Sequence, residues 1–435
     1  MDGRGLAVTI SDDPDEEPNR AENRPIVLVL HLDLFAGPVH SPYLSSLTRS
    51  LPGYRFLILT DRILSGHSIG KWPGNVEFVW RNSLLATRLE QRLPPSLARL
   101  FGVWLDTARC CTNRRLLRRL TFDLIHVHAG VEVENLIRVG RKLRLAGLWV
   151  IARWFSDFTW TDKPVLFTEH SLFSRRSELG FPNPFHEADL TVTSAYPNVI
   201  CVDRDAYEFL SKYDAQHSIN RRRWLVPNGI NTEAFAFAKL ATRNTLRIGY
   251  SGRLFRSGES RTFLSRVAKR LPEAVELHLA VASPLGEDEI RRQWFSSASV
   301  VLHRNIPNNS MPDFYRSIDM LVNPLLWGGV GRSSLEAMSC GRPVVMFSNA
   351  DRYPVSEKTG YLIGPEDVDE FLALALRLRD NREDIASRGR RAREIVDREF
   401  SESGVGLATA RVYESLVGKT SKGPSALHCR IGKPG

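Results

Sequence analysis

The residues best suited to chemistry lie in NPLLWGGVGRSSLEAMSCGRPVVMF, which runs from Asn323 to Phe347. The pattern predicts a strand end, a loop holding Gly328, Gly329 and Gly331, a helix over 333–339, a stop at Gly341 and a β-branched strand from Pro343. A loop that feeds a helix in this way presents backbone N–H groups and the positive end of the helix dipole, which together suit an anion. Glycine-rich turns of this kind are common in doubly wound folds, so the glycines alone say little. Glu336, one turn into the helix, says more. A carboxylate there can reach hydroxyls of a ligand whose phosphates sit on the amides, which is how a nucleotide is held.

Other titratable groups stand at strand ends. DLIHVHAG (123–130) reads as a strand, and because strand side chains alternate, His126 and His128 share one face. His128 then occupies the carboxyl end of a parallel strand, where open α/β sheets bind ligands. On position alone the simpler reading is a histidine satisfied by nearby backbone. PVLFTEHS (164–171) repeats the arrangement with Glu169 and His170. Asp203-Arg204-Asp205 is a D-x-D sequence, which can hold a divalent metal against a sugar-nucleotide diphosphate. It stands before the helix AYEFLSKY, however, where Asp is a preferred N-cap. Capping is therefore the favoured reading, and the site is expected to use neither metal nor cofactor.

Alternating strands and helices carry these groups. IVLVL (26–30), FLILT (56–60) and VEFVW (76–80) are strands, a helix begins near Ser41, and CVD (201–203) and WLVPN (224–228) complete a first domain. PNGINTEAF (227–235) links it to a second run: LRIGYSG (246–252), a helix through 261–271, VELHLAV (275–281), SVVLHR (299–304), the helix MPDFYRSI, DMLVNPL and TGYLIG (359–364). Helices near 366–380, 382–398 and 404–418 follow. Such alternation predicts α/β architecture: two Rossmann-like, doubly wound parallel-sheet domains. The expected boundaries are 25–228 and 229–398, with a helix at 399–418 packing back toward the first domain.

At 435 residues the chain is too long for one core. Five cysteines (Cys110, Cys111, Cys201, Cys340, Cys429) show no metal-ligand spacing and read as reduced thiols, which fits a cytoplasmic setting. No apolar run approaches the roughly 20 residues that span a bilayer, and the N-terminus lacks the pattern of a secretion signal. Net charge is +10, yet residues 1–24 hold seven acids against three arginines. That acidic opening and the Gly/Lys/Pro-rich tail 419–435 are expected to lack order. Between them, the arginine-rich stretch 88–119 reads either as a basic amphipathic surface for an anionic membrane or as a solvated helix face. No aromatic-basic module suggests nucleic acid as a partner.

Taken in order, DLIHVHAG, PVLFTEHS, VPNGINTEAF, IGYSGRL, MPDFYRSIDMLVNPLLWGGVG, SLEAMSCGRPVVM, KTGYLIGPEDVDEFLALAL and SRGRRAREIVDREFS resemble a family 4 (group 1) retaining glycosyltransferase of the two-domain B fold. The resemblance runs from about Pro25 to Val417. It implies that Arg253, in the G-R-L turn, grips the donor diphosphate. It also implies that Glu336 binds the nucleotide ribose, with the amides near Ser334 and Leu335 and those of the loop glycines on phosphate or sugar. By the same resemblance His128 lies near the transferred sugar, and the loop around Gly37 faces the diphosphate. Two positions depart from the family. Gly258 stands where a lysine is usual, a gap that Arg256 or Arg261 is placed to fill, and Gly328 stands where a second glutamate contacts the donor sugar. The function implied is transfer of a hexosyl group from a nucleotide diphosphate sugar to a glycan or lipid-linked acceptor, in cell-envelope, exopolysaccharide or glycolipid synthesis, by a cytoplasmic protein peripheral to the inner face of the membrane. The alternative is a degenerate member that binds a nucleotide sugar or a partner without transfer. An epimerase of the same fold is disfavoured because its carboxylate-rich site is not evident.

Overall fold

The computed structural model describes residues 24–30, 40–61, 72–81, 119–128, 161–170, 196–252, 258–283, 285–326, 328–349 and 352–418. Gly37, Arg253 and Arg256 lie outside the described residues, as do the acidic opening before Arg24, the basic stretch before Arg119 and the tail after Gly418. The chain divides into two compact units, Met1–Val202 with Phe209–Val226 and Gly406–Gly435, and Pro227–Val405 with Asp203–Glu208.

The first unit is built on a seven-stranded parallel sheet of β1 (Ile26–Leu30), β2 (Arg55–Asp61), β3 (Val76–Arg81), β4 (Leu124–His128), β5 (Val165–Glu169), β6 (Asn198–Cys201) and β7 (Arg222–Leu225), in the order β3-β2-β1-β4-β5-β6-β7. Every residue of β4, β5 and β6 is buried, as expected of parallel strands covered on both faces. Helix α1 (His40–Arg49) follows β1, and α2 (Arg204–Gln216) follows β6.

Two strand limits differ from the sequence reading. The strand expected at 201–203 lies at Asn198–Cys201, because Asn198 enters the sheet and its Nδ2 donates to the Val165 carbonyl at 2.9 Å. Asp203 is thereby left outside the ladder. The strand expected at 224–228 begins at Arg222, since an edge strand tolerates arginines whose heads find partners: Arg222 lies over the Trp224 ring, and Arg223 pairs with buried Asp214.

The second unit has a six-stranded parallel sheet of β8 (Leu246–Gly252), β9 (Val275–Val281), β10 (Val300–Arg304), β11 (Met320–Asn323), β12 (Val344–Phe347) and β13 (Gly360–Ile363), ordered β10-β9-β8-β11-β12-β13. Its helices are α3 (Gly258–Ala268), α4 (Glu287–Trp294), α5 (Met311–Ser317), α6 (Arg332–Ser339), α7 (Val368–Asp380) and α8 (Arg382–Glu399); α9 (Glu402–Val417) follows. The sequence reading leaves α4 unassigned and starts α3 three residues late. Ile230 bridges to Ser401, with its N–H donating to the Phe400 carbonyl at 2.8 Å.

Both sheets reverse strand order at one place, between β1 and β4 in the first and between β8 and β11 in the second. At such a switch point neighbouring crossovers run to opposite faces and leave a crevice beyond the carboxyl strand ends. His128 ends β4, and Asn323, the last residue of β11, opens the glycine loop. Arg253 is the residue after β8.

Candidate functional site

The loop after β11 is held from below by two side chains that the sequence reading does not single out. Arg352, only 2% exposed, donates from Nε to the Phe347 carbonyl (3.0 Å), from Nη1 to the Gly328 carbonyl (2.5 Å), and from Nη2 to the Leu325 carbonyl (2.6 Å) and Asn349 Oδ1 (2.8 Å). Asn349 Nδ2 donates to the Leu326 carbonyl at 2.6 Å. These bonds satisfy carbonyls that a turn would otherwise leave buried and unpaired. Gly328 has φ +79°, a left-handed conformation that favours glycine, and no atom of the described residues stands within 4 Å of the place a Cβ would take. Among the described residues a glutamate there would meet no steric wall; it would meet a backbone conformation that side chains rarely adopt. The absence of the family carboxylate and the shape of this loop are thus two sides of one feature.

Gly329 is required for a different reason. A Cβ at that position would fall 2.5 Å from Cβ of Asp203, so the loop backbone passes against that residue. Asp203 Oδ1 accepts the Ala206 N–H at 2.7 Å, the N-cap contact that favours capping over metal ligation for the D-x-D sequence. Among the described residues no group of three or more His, Cys, Asp or Glu stands in metal-holding geometry.

Gly331 is the N-cap of α6 and offers no side-chain acceptor to the first turn. The Ser334 and Leu335 amides both donate to the Gly331 carbonyl, at 3.0 and 3.3 Å. Arg332 and Ser333, the two residues just before them, are the first-turn amides without an intrahelical acceptor. Asn323 Nδ2 donates to Ser334 Oγ at 2.8 Å, which ties the strand end to the helix start.

Glu336 follows on α6 with its carboxylate fixed on both oxygens. Arg332 Nε donates to Oε1 at 2.8 Å, and the Tyr315 hydroxyl donates to Oε2 at 3.0 Å. Tyr315 is fully buried on α5; desolvation, with the Glu336 charge as a second cause, pushes its phenol well above the usual range, so it remains a donor. The α5 and α6 ends are in turn held by Arg342, which is 1% exposed and donates to the carbonyls of Tyr315 (3.1 Å), Arg316 (3.1 Å), Ala238 (2.6 Å) and Cys340 (3.2 Å). A guanidinium among helix C-terminal carbonyls sits at the negative ends of their dipoles.

The two departures noted in the sequence have distinct settings. Gly258 is the first residue of α3, and Arg261, one candidate replacement for the missing lysine, lies over the Trp294 ring at 5.0 Å. Arg256, the other, lies outside the described residues together with Arg253.

In the first unit, His126 and His128 do share a face, their ring centroids 4.1 Å apart. His126 is a packing residue: Nδ1 is 2.7 Å from the Tyr413 hydroxyl and Nε2 2.6 Å from Thr168 Oγ1, and burial pulls its pKa down to about 3. His128 is buried at the end of β4, with Nδ1 3.3 Å from His170 Nε2, and the Tyr43 ring stands edge-on to both imidazoles. The histidines of the two strand ends therefore form one cluster, and Tyr43 is the member that sequence spacing gave no sign of. Gly37, expected in the preceding loop, lies outside the described residues.

The comparisons with known proteins fall on the same elements. Residues 245–381, from the start of β8 to the end of α7, match the family described as Glycosyl transferases group 1. Over 114 residues the chain is 32% identical to the lipopolysaccharide core biosynthesis mannosyltransferase LpsB of Rhizobium meliloti (strain 1021), a match covering 25% of this chain and 32% of that protein. The chain thus spans about a third of the length of that relative. It is 22% identical over 308 residues to the UDP-Gal:alpha-D-GlcNAc-diphosphoundecaprenol alpha-1,3-galactosyltransferase of Escherichia coli, covering 66% of this chain and 74% of that one. In fold it is similar to the sucrose-phosphate synthase of Thermosynechococcus elongatus, with a TM-score of 0.68 at 17% identity over 91% of this chain and all of that one. Among the described residues no helix is long and apolar enough to cross a membrane. The family match thus falls on the unit that carries Glu336, and the two parallel-sheet units share the B fold of these glycosyltransferase structures.

Proposed function

We propose that this protein transfers a hexosyl group from a nucleotide diphosphate sugar to an acceptor hydroxyl with retention of anomeric configuration, in the synthesis of a cell-envelope glycan, exopolysaccharide or glycolipid. The observation that carries the reading is the start of α6: an uncapped helix N-terminus at a sheet switch point, one turn before a carboxylate held by Arg332 and Tyr315. In this reading the amides of Arg332 and Ser333 take phosphate, and Glu336 takes the ribose hydroxyls. Arg253 neutralises the diphosphate as the glycosidic C–O bond breaks and the electron pair leaves with it; such preorganised charge supplies several kcal/mol in comparable sites. The acceptor oxygen attacks from the face the diphosphate leaves, and its proton passes to the departing phosphate oxygen. His128 stands near the transferred sugar. Asp203 is occupied in capping α2, and no resident metal or cofactor is assigned.

The relatives named for lipopolysaccharide core and for a diphosphoundecaprenol-linked acceptor support an envelope role and a glycan or lipid-linked acceptor. We assign the protein to the cytoplasm at the inner face of the membrane, with the basic stretch 88–119 facing anionic lipid. Thermal stabilisation by a panel of nucleotide sugars identifies the donor, since a specific ligand raises stability with its concentration. Transfer with that donor is then measured in Arg253→Ala and Glu336→Ala; unchanged turnover in both overturns the reading. Gly258 and Gly328 favour one second reading, a protein that binds a nucleotide sugar without transferring it. Detectable transfer with any donor excludes that alternative.

A further inference from the structure

At the opposite end of the second sheet from the glycine loop lies a cavity of about 380 Å³ between the segment 237–243 and the start of α8. Lys239, Arg243, Arg382 and Arg390 line it, with Glu383 at the rim and the Phe237 ring on one wall. Its place in the fold is fixed by Asp319, the fully buried residue that precedes β11. The Asp319 N–H donates to the Arg247 carbonyl and its Oδ2 accepts the Arg247 N–H, both at 2.8 Å, which ties it to the start of β8. Donor loop and cavity thus lie at opposite ends of β11, about 13 Å apart at the usual rise of a strand.

The cations around this cavity exceed what their partners neutralise. Arg382 lies 2.6 Å and Arg243 3.9 Å from Asp319 Oδ1, and Arg390 pairs with Glu383 at 2.8 Å. Lys239 has no carboxylate among the cavity walls beyond that shared Glu383. Arg382 Nη1 is buried and makes no hydrogen bond among the described residues. A buried guanidinium N–H without an acceptor is costly, and an oxyanion satisfies it. Guanidinium forks match the geometry of phosphate oxygens, whereas a lysine adds charge without that geometry. The volume falls at the small end of the range for ligand sites. Phe237, 42% exposed, packs against the Gly341 turn and offers an apolar surface to whatever carries the charge.

We propose that this cavity is a binding site for a phosphomonoester on a small polar body, of the size of a phosphorylated monosaccharide, separate from the site at α6. The phosphate lies between Arg382, Arg243 and Arg390, and the body rests toward Phe237.

Titration calorimetry of the full chain with glucose 6-phosphate, inorganic phosphate and glucose tests it. Glucose 6-phosphate is expected to bind at one equivalent and inorganic phosphate more weakly, with glucose silent and added UDP unable to displace the sugar phosphate. Because Arg382→Gln leaves buried Asp319 with Arg243 alone and endangers folding, the deciding variant is Lys239→Ser/Arg390→Ser, whose side chains lie at the cavity edge. It is expected to weaken glucose 6-phosphate binding about tenfold, the effect of removing roughly 1.4 kcal/mol of interaction, with the thermal transition unchanged. The proposal is overturned if neither phosphate compound binds, if glucose binds as well as its phosphate, if UDP displaces the ligand, or if the double variant binds as wild type does. None of these outcomes depends on transferase activity, so this site and the proposed function stand or fall separately.

Discussion

Arg352 Nη1 lies 2.5 Å from the carbonyl oxygen of Gly328, a residue 24 positions earlier whose φ of +79° shapes the loop before α6. With the bonds from Arg352 to the Leu325 carbonyl and from Asn349 to the Leu326 carbonyl, that contact joins the segment after β12 to the loop after β11, which leads into the helix that carries Glu336. Neither partner is chemical by type. Their relationship nonetheless anchors the loop that leads into α6, whose Glu336 is held in turn by Arg332 and Tyr315.

Replacing Arg352 with methionine keeps the bulk and removes every donor. The carbonyls of Leu325, Gly328 and Phe347 lose their partner, and unsatisfied buried acceptors cost about 1–3 kcal/mol each when they cannot reach water. Chemical denaturation is expected to show a loss of about 3 kcal/mol, with nucleotide-sugar affinity falling alongside it. Wild-type stability in this variant would remove the loop anchor from the account.

Tyr315→Phe is the milder test of how Glu336 is held. It deletes the 3.0 Å hydrogen bond to Oε2 and leaves the ring in place. The expected cost in stability is about 1 kcal/mol, and the larger effect should appear as weaker binding of the donor nucleotide, measured by calorimetry. Equal nucleotide affinity in the two proteins would show that the tyrosine supports only packing.

Gly328→Glu restores the carboxylate usual in the family, onto a backbone with φ +79°. A non-glycine residue in that region costs roughly 1–2 kcal/mol. The variant should therefore be less stable by thermal unfolding and gain no donor affinity. A gain in transfer rate would mean that the loop changes conformation freely, against the constraint from Arg352.

His126 gives a pH dependence with a definite sign. Its imidazole is held neutral by burial, with a pKa of about 3 in place of 6.5. The folded value is the lower one, so the unfolded state binds the extra proton. Stability from this group is complete above about pH 6.5 and declines as pH falls toward 3, with a slope of up to about 1.4 kcal/mol per pH unit. Denaturation midpoints of wild type and His126→Gln, compared from neutral to mildly acidic pH, should converge as pH falls, since glutamine does not titrate. A constant gap between the two would remove the buried neutral imidazole from the account.

Much of the architecture was legible in the residues themselves. Runs such as IVLVL, VELHLAV and LRIGYSG admit little besides buried strands, and the alternation with helical segments dictates parallel sheets. The glycine loop and Glu336 stand together in sequence, so their partnership is a local matter of a turn and one helical turn beyond it. Asp203 was readable for the same reason, since a cap bonds the backbone three residues on. Errors fell where a local pattern had to yield to a distant partner. Asn198 enters β6 because of Val165, and the arginines of β7 are tolerated because Asp214 lies near one and Trp224 under the other.

What the tertiary structure alone decided is which polar side chains stand behind the site. Tyr315 reaches Glu336 across 21 residues, Arg342 reaches Ala238 across 104, and Tyr413 reaches His126 across 287. No periodicity or spacing encodes such pairs, because each is fixed by how the sheet brings remote crossovers side by side and by the cost of leaving a buried donor or acceptor unpaired. The sequence by itself determined that a glycine loop follows the strand ending at Asn323 and that a glutamate stands one turn into the helix beyond it. The conformation of Gly328, the amides left over at the start of α6 and the two donors on Glu336 were settled only when distant residues came to satisfy that loop's buried polar groups.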